Sequence, residues 1–230
     1  MIPFDFEYYR PSSVKEAADA YQALQAQGKH PMYWSGGTEI ITMARLNEDH
    51  PGAVVDLKAI PECSVMEYRE NDLIIGGCVT LSAVTGSNLF PLLGRAAQGV
   101  ADQTSRNKIT LGGNLCGRIY YREAVLPLLV ADSRLVIAGK GGVREAVIHQ
   151  VFRGQIRLEP GEFLLQTVTD REFDLCRRSC EERQICGRAG PQGSRTAPGT
   201  AADQYGRHGR LPALLFKQTV KDAIHALEGR

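Results

Sequence analysis

The sequence predicts a mixed α/β fold, of the α+β kind, over residues 1–173, with residues 174–230 set apart as an atypical tail. Three observations predict it. Helix-period and strand-like stretches alternate through the first part, as expected when both element types share one core. Two glycine pairs, Gly36-Gly37 and Gly112-Gly113, each stand between a strand signal and a helix signal. The composition then breaks near residue 173: residues 174–210 hold seven Arg, no Lys, six Gly and three Cys, with only Leu175 and Ile185 as large aliphatics. So little apolar surface cannot offset the entropy of ordering that stretch. Lys and Arg total 27 against 26 Asp and Glu, a net charge of +1. A grip on nucleic acid needs a positive surplus, so that partner class is not expected. No apolar run reaches the ~20 residues of a membrane span. The opening Met1-Ile-Pro-Phe-Asp-Phe-Glu7 lacks the basic-then-apolar pattern of an export signal. A cytoplasmic protein with no membrane association is expected, and its six cysteines are read as reduced thiols.

The elements follow in order. Ser13-Val-Lys-Glu16 is a capping box, in which serine and glutamate satisfy each other's orphan amides. Val14, Ala17, Ala18, Tyr21 and Leu24 form the apolar stripe of a helix that should stop at Gly28. Met32–Trp34 reads as a strand running into Ser35-Gly36-Gly37-Thr38, and a second helix is expected over Glu39–Leu46. Ala53–Leu57 is a buried strand, and Val65–Arg69 with Leu73–Gly76 forms a hairpin about Asn71-Asp72. Thr80 caps a short helix, Leu92–Ala101 gives another, and Lys108–Leu111 reads as a strand entering a turn at Gly112-Gly113. Glu123–Asp132 is helical despite Pro127, Leu135–Ala138 is a strand turning at Gly139–Gly142, and Phe163–Val168 closes the set.

The chemistry rests on the two glycine pairs. Paired glycines let the backbone approach a ligand with no Cβ in the way, and successive amides in such a turn converge on an anion. Thr38, Thr110 and Asn114 add hydroxyl and amide groups beside them. Each pair alone also reads as nothing more than a tight turn. No G-x-G-x-x-G or G-x-x-x-x-G-K-[ST] pattern is present, so neither a Rossmann site nor a P-loop is supported. Gly139-Lys-Gly-Gly142 reads as a hairpin turn. The five histidines are dispersed and suggest no nucleophilic or metal constellation. Cys176, Cys180 and Cys186 fit neither zinc nor ferredoxin spacing.

Several of these pieces together resemble the FAD-binding medium subunit of the molybdenum hydroxylases, the group of xanthine dehydrogenase and carbon monoxide dehydrogenase. They are Tyr9-Arg10-Pro11, Ser35-Gly-Gly-Thr-Glu-Ile40, Val55-Asp-Leu57, Ile75-Gly-Gly-Cys-Val-Thr80, Ser105-Arg-Asn-Lys-Ile-Thr-Leu-Gly-Gly-Asn114 and Leu158-Glu-Pro-Gly-Glu162. They run in family order across residues 6–169.

The resemblance implies a two-lobed flavin domain of the molybdopterin-dehydrogenase (PCMH-like) type. Lobe 1 would be residues 1–60 and lobe 2 residues 61–173, with the family's C-terminal lobe degenerate or missing. It implies FAD as cofactor, held by Trp34, Ser35, Gly36, Gly37, Thr38, Glu39, Thr110, Gly112, Gly113, Asn114, Gly117 and Glu123. The amides of both glycine pairs would hold the diphosphate, Glu39 would lie near the flavin, and Glu123 would stand where the family usually has an Asp. No side chain would be catalytic and no metal would be bound. The partners implied are a large subunit with the molybdenum cofactor and a small subunit with 2Fe–2S clusters, with electrons passing through FAD to NAD or another acceptor. The alternative is a truncated, non-catalytic remnant that no longer holds FAD. The tail matches none of the family's last domain and reads like an out-of-frame translation that ends near Lys217.

Overall fold

The computed structural model describes residues 2–119 and 122–170, and residues 1–171 form one compact unit. The expectations for 174–230, with the cysteines of that stretch, lie outside the described residues.

Two sheets organise the unit. The first has three parallel strands, β1 (Glu7–Tyr9), β2 (Pro31–Trp34) and β3 (Ala53–Asp56), in the order β1-β3-β2. Parallel neighbours need crossovers, and α1 (Val14–Ala26) and α2 (Thr38–Arg45) supply them. Ser13 Oγ caps α1 by accepting from the Glu16 amide at 3.2 Å. The return half of the expected capping box shifts by one residue, because the Glu16 carboxylate accepts from the Ser12 amide at 2.7 Å. Gly28 ends the helix at a φ of +72°, as read from the sequence. β3 is the central strand and all four of its residues are buried, which is why its pattern is a continuous apolar run rather than an alternation.

The second sheet is antiparallel and five-stranded: β4 (Met66–Arg69), β5 (Asp72–Gly76), β6 (Arg134–Gly139), β7 (Gly142–Val147) and β8 (Phe163–Asp170), ordered β4-β5-β8-β6-β7. The last strand in sequence takes the centre, and Phe163–Thr169 are buried without a break. The Gly139–Gly142 turn is a hairpin, with the two glycines paired across β6 and β7. Five short helices lie between β5 and β6: α3 (Leu81–Ser87), α4 (Pro91–Gln98), α5 (Gln103–Arg106), α6 (Leu111–Cys116) and α7 (Val125–Val130). A final short helix, α8 (Ile148–Val151), follows β7.

Three local expectations are corrected. Lys108–Leu111 is not a strand; only Thr110 makes a bridge, to Thr80. Gly112 and Gly113 lie inside α6 rather than in a turn, because Thr110 Oγ1 caps that helix through the Gly113 amide at 3.2 Å. The helix read over Glu123–Asp132 is shorter, and Pro127 sits in its first turn, where its missing amide has no intrahelical acceptor to lose.

The sheets share one core. Ala17 and Leu24 of α1 and Val55 of the first sheet pack in the same buried cluster as Val136, Ala138, Phe163 and Leu165 of the second. Tyr33 joins them further: its ring stacks on Tyr21 at 4.6 Å, tilts against Phe163 at 4.7 Å, and its hydroxyl donates to the Gly161 carbonyl at 3.0 Å.

Candidate functional site

A cleft of about 500 Å³ is lined by residues of both halves, including Ser35–Ile40, Gly112–Asn114 and Gly117–Ile119. Its first wall is the loop leaving β2. Gly37 has a φ of +70° and lies over the Trp34 indole, where a Cβ would stand 2.2 Å from a ring carbon. A Cβ on Gly36 would stand 2.0 Å from the Lys108 carbonyl oxygen. Both glycines are therefore required by contact, and Gly37 by conformation as well. The amides of Gly36, Gly37, Thr38, Glu39 and Ile40 donate to no acceptor among the described residues, and the first intrahelical bond of α2 begins at Ile41. Unpaired donors at the start of a helix form an anion nest.

That loop is anchored from behind. Lys58 Nζ donates to the Ser35 carbonyl at 2.9 Å and to Asp56 Oδ2 at 2.8 Å, and the Tyr8 hydroxyl donates to the same carboxylate at 2.5 Å. Burial alone would raise the Asp56 pKa, but the hydrogen bonds from Lys58 and Tyr8 outweigh it and hold the carboxyl below its ordinary value. A lowered folded-state pKa gives stability that is present above the unfolded value of about 3.9 and is lost as pH falls through the folded value. Asp56→Asn should therefore flatten the acid limb of a Tm–pH curve below about pH 4. An acid limb identical to that of the parent protein would count against this anchor.

The second wall behaves differently from the expectation. The amides of Leu111 and Gly112 donate to the carbonyls of Val79 and Gly77 at 2.8 Å each, and that of Asn114 to the Thr110 carbonyl at 2.9 Å. With Gly113 held by Thr110 Oγ1, no amide of Leu111–Asn114 is left to form a nest. What this wall offers is bare backbone: a Cβ at Gly112 would meet the Gly77 oxygen at 2.8 Å, whereas at Gly113 it would meet only Thr110 Oγ1, at 3.0 Å, and Ser35 Oγ, at 3.8 Å. The two walls touch through Ser35 Oγ and Thr110 Oγ1, 2.8 Å apart.

A third surface follows α6. Glu39, from the first wall, accepts the amides of Arg118 at 2.8 Å and Ile119 at 2.9 Å. Its carboxylate thus ties the loop after α6 to the start of α2. Gly117 permits this approach, since a Cβ there would stand 2.7 Å from Glu39 Oε2. Arg118 lines the cleft and pairs with Asp49 at 2.9 Å. Arg122 is not among the lining residues and donates to the Gly117 and Gly154 carbonyls, while Tyr120 and Tyr121 lie outside the described residues.

Of the predicted site residues, Ser35, Gly36, Gly37, Thr38, Glu39, Thr110, Gly112, Gly113, Asn114 and Gly117 line this one cleft. Trp34 and Glu123 are not among its lining residues. Trp34 is the platform under Gly37. Glu123 keeps its Oε2 buried with no hydrogen-bond partner, and the neighbouring Ala124 amide donates to Asn114 Oδ1 at 3.3 Å. Arg106, within the most specific motif, is a clamp: its guanidinium donates to the carbonyls of Gln98, the last residue of α4, and of Val100 and Ala101 beyond it. Sequence reasoning missed Lys58, whose charge stands two residues after a strand and carries no local signal, and Cys78, which lines the cleft beside Gly77. Leu158 and Glu162 close the far side, with Glu162 held by a bidentate pair to Arg144, 2.7 Å on each arm. Among the described residues, no cluster of three or more His, Cys, Asp or Glu suits a metal, and no helix is long and apolar enough to cross a membrane.

Comparison with known proteins agrees with this geometry. The family described as FAD binding domain in molybdopterin dehydrogenase matches residues 4–168. The nicotinate dehydrogenase FAD-subunit of Eubacterium barkeri is 25% identical over 73% of this chain and 59% of its own length. The carbon monoxide dehydrogenase medium chain of Hydrogenophaga pseudoflava is 27% identical over 72% and 59%. A solved carbon monoxide dehydrogenase from that organism superposes with a TM-score of 0.68 at 26% identity, over 74% of this chain and 60% of the other. Quinoline 2-oxidoreductase from Pseudomonas putida 86 shares the fold, with a TM-score of 0.65 at 23% identity. The chain spans about three fifths of the length of the curated relatives it matches.

Proposed function

Because the chain belongs to the family of FAD-binding domains in molybdopterin dehydrogenases, we propose that its cleft holds FAD and that it is the electron-transfer subunit of a cytoplasmic molybdenum hydroxylase complex. Electrons would come from 2Fe–2S clusters on a small subunit, fed by a large subunit with the molybdenum cofactor, and leave to NAD or another acceptor. The observation that carries this reading is the run of five unpaired amides, Gly36–Ile40, lining a cleft whose second wall carries no Cβ at Gly113. A dinucleotide's diphosphate needs donors on one side and close approach on the other, and the two walls divide those tasks. Glu123, whose Oε2 is buried with no hydrogen-bond partner, lies off the lining of the cleft and takes no part in this reading.

When bound, FAD supplies the redox chemistry through its ring system. The chain's own residues bind and orient. Gly36–Ile40 present amides to the diphosphate, Gly113 lets the cofactor reach the backbone, Gly112 seats that wall against Gly77, and Thr110 and Ser35 hold the walls in register. Glu39 sets the loop at Arg118 and Ile119 that shields one side of the cleft.

One observation favours a second reading. The family match ends at residue 168 and the residues beyond it match none of the family, which suits a remnant that no longer retains FAD. Purification of the full chain decides between them. Bound FAD released on denaturation, together with co-purifying molybdenum and iron–sulfur subunits, is the expected result. A colourless protein that cannot be reconstituted with FAD would establish the remnant reading.

A further inference from the structure

We propose that Cys63 and Cys78 form a reversible dithiol–disulfide pair, oxidised from the cleft by a small disulfide. Both are free and buried in the core shared by the two sheets. Cys63 is fully buried in the 3-10 turn of residues 61–64, whereas Cys78 lines the cleft wall. The Cys78 amide donates to the Cys63 carbonyl at 2.8 Å. Standard backbone dimensions then put the two Cα atoms roughly 5–6 Å apart, inside the disulfide window of about 4.4–6.8 Å. That backbone spacing is one a disulfide can bridge.

The asymmetry of burial sets the order of events. Contact with the Cys78 thiol and burial push the Cys63 pKa up, so Cys63 is a poor first nucleophile. Cys78 meets the oxidant first. As a thiolate it attacks a disulfide R–S–S–R, one R–S⁻ leaves, and a mixed disulfide forms. Cys63 then loses its proton and attacks the Cys78 sulfur, expelling the second R–S⁻. Two thiols and one R–S–S–R become one protein disulfide and two R–SH. The bond would act on the cleft because Cys78 lies between Gly77 and Val79, whose carbonyls hold the Gly112 and Leu111 amides. Crosslinking would pin that ledge to the 61–64 turn. The inference needs no bound cofactor and stands apart from the function proposed above.

The test is oxidation of the folded full chain with glutathione disulfide, then alkylation of free thiols, trypsin and mass spectrometry. Trypsin places Cys63 in residues 59–69 and Cys78 in residues 70–95. The expected product is these two peptides joined and two hydrogens lighter, returned to free peptides by dithiothreitol. Cys63→Ser should instead leave Cys78 carrying glutathione, a readout that survives even if one variant folds poorly. In the crosslinked protein, hydrogen exchange at Leu111 and Gly112 should slow. Recovery of both thiols unmodified in the folded parent protein, while other cysteines react, would overturn the proposal.

Discussion

Gly36→Ala is expected to destabilise the fold by about 3 kcal/mol or more and to remove bound flavin with it. The added Cβ would fall 2.0 Å from the Lys108 carbonyl oxygen and 3.0 Å from its carbon. Neither is the far end of a flexible side chain; both are backbone, in the segment that leads into α6. Relief requires the two walls to part, which breaks the Ser35–Thr110 contact and opens the core behind it. Gly141→Ala is the matched control. Nothing lies within 4 Å of a Cβ there and its φ is not positive, so its Tm should stay within a degree or two, consistent with a change of about 0.5 kcal/mol or less. A Tm for Gly36→Ala equal to that of the control would mean the walls are not in contact as described.

Gly113→Val should separate binding from folding. Its Cβ would meet only the Thr110 and Ser35 hydroxyls, and the residue lies within α6, where glycine is a poor helix former. Folding should change by about 1 kcal/mol or less, the gain in propensity offsetting the crowding of Thr110. The branched side chain, however, would project into the space that a diphosphate must share with the backbone. A loss of FAD affinity of about 100-fold, equivalent to about 2.7 kcal/mol, is expected with a nearly unchanged Tm. Flavin released per mole of protein, set against thermal melts of both variants, checks the pair. Full flavin content in Gly113→Val would show that this wall does not face the cofactor.

Much of the first sheet was legible because its signals are local. Ser13, the stripe from Val14 to Leu24 and Gly28 mark the start, face and end of α1, and the continuous apolar run at Ala53–Leu57 marks a central strand. The second glycine pair misled because its setting is tertiary. Carbonyls at Gly77 and Val79, more than thirty residues earlier, take the amides that a local reading would leave free. The same distance effect hid Lys58, whose work is to hold the Ser35 carbonyl, and turned Trp34 from a ligand candidate into a support for Gly37. β7 was missed because its first four residues are exposed and give no apolar pattern. Family resemblance located the cleft's residues, but only contact geometry separates donors from bare surface among them.

The ring of Tyr33, wedged between Tyr21 and Phe163 with its hydroxyl on Gly161, has a mechanical consequence. A hinge between the sheets would have to break that wedge and expose the apolar cluster around it, so the gap width is preset at folding. Capture of a dinucleotide by this unit is then insertion into a mould rather than the shutting of a jaw, and the recognition energy is not spent on bending the chain.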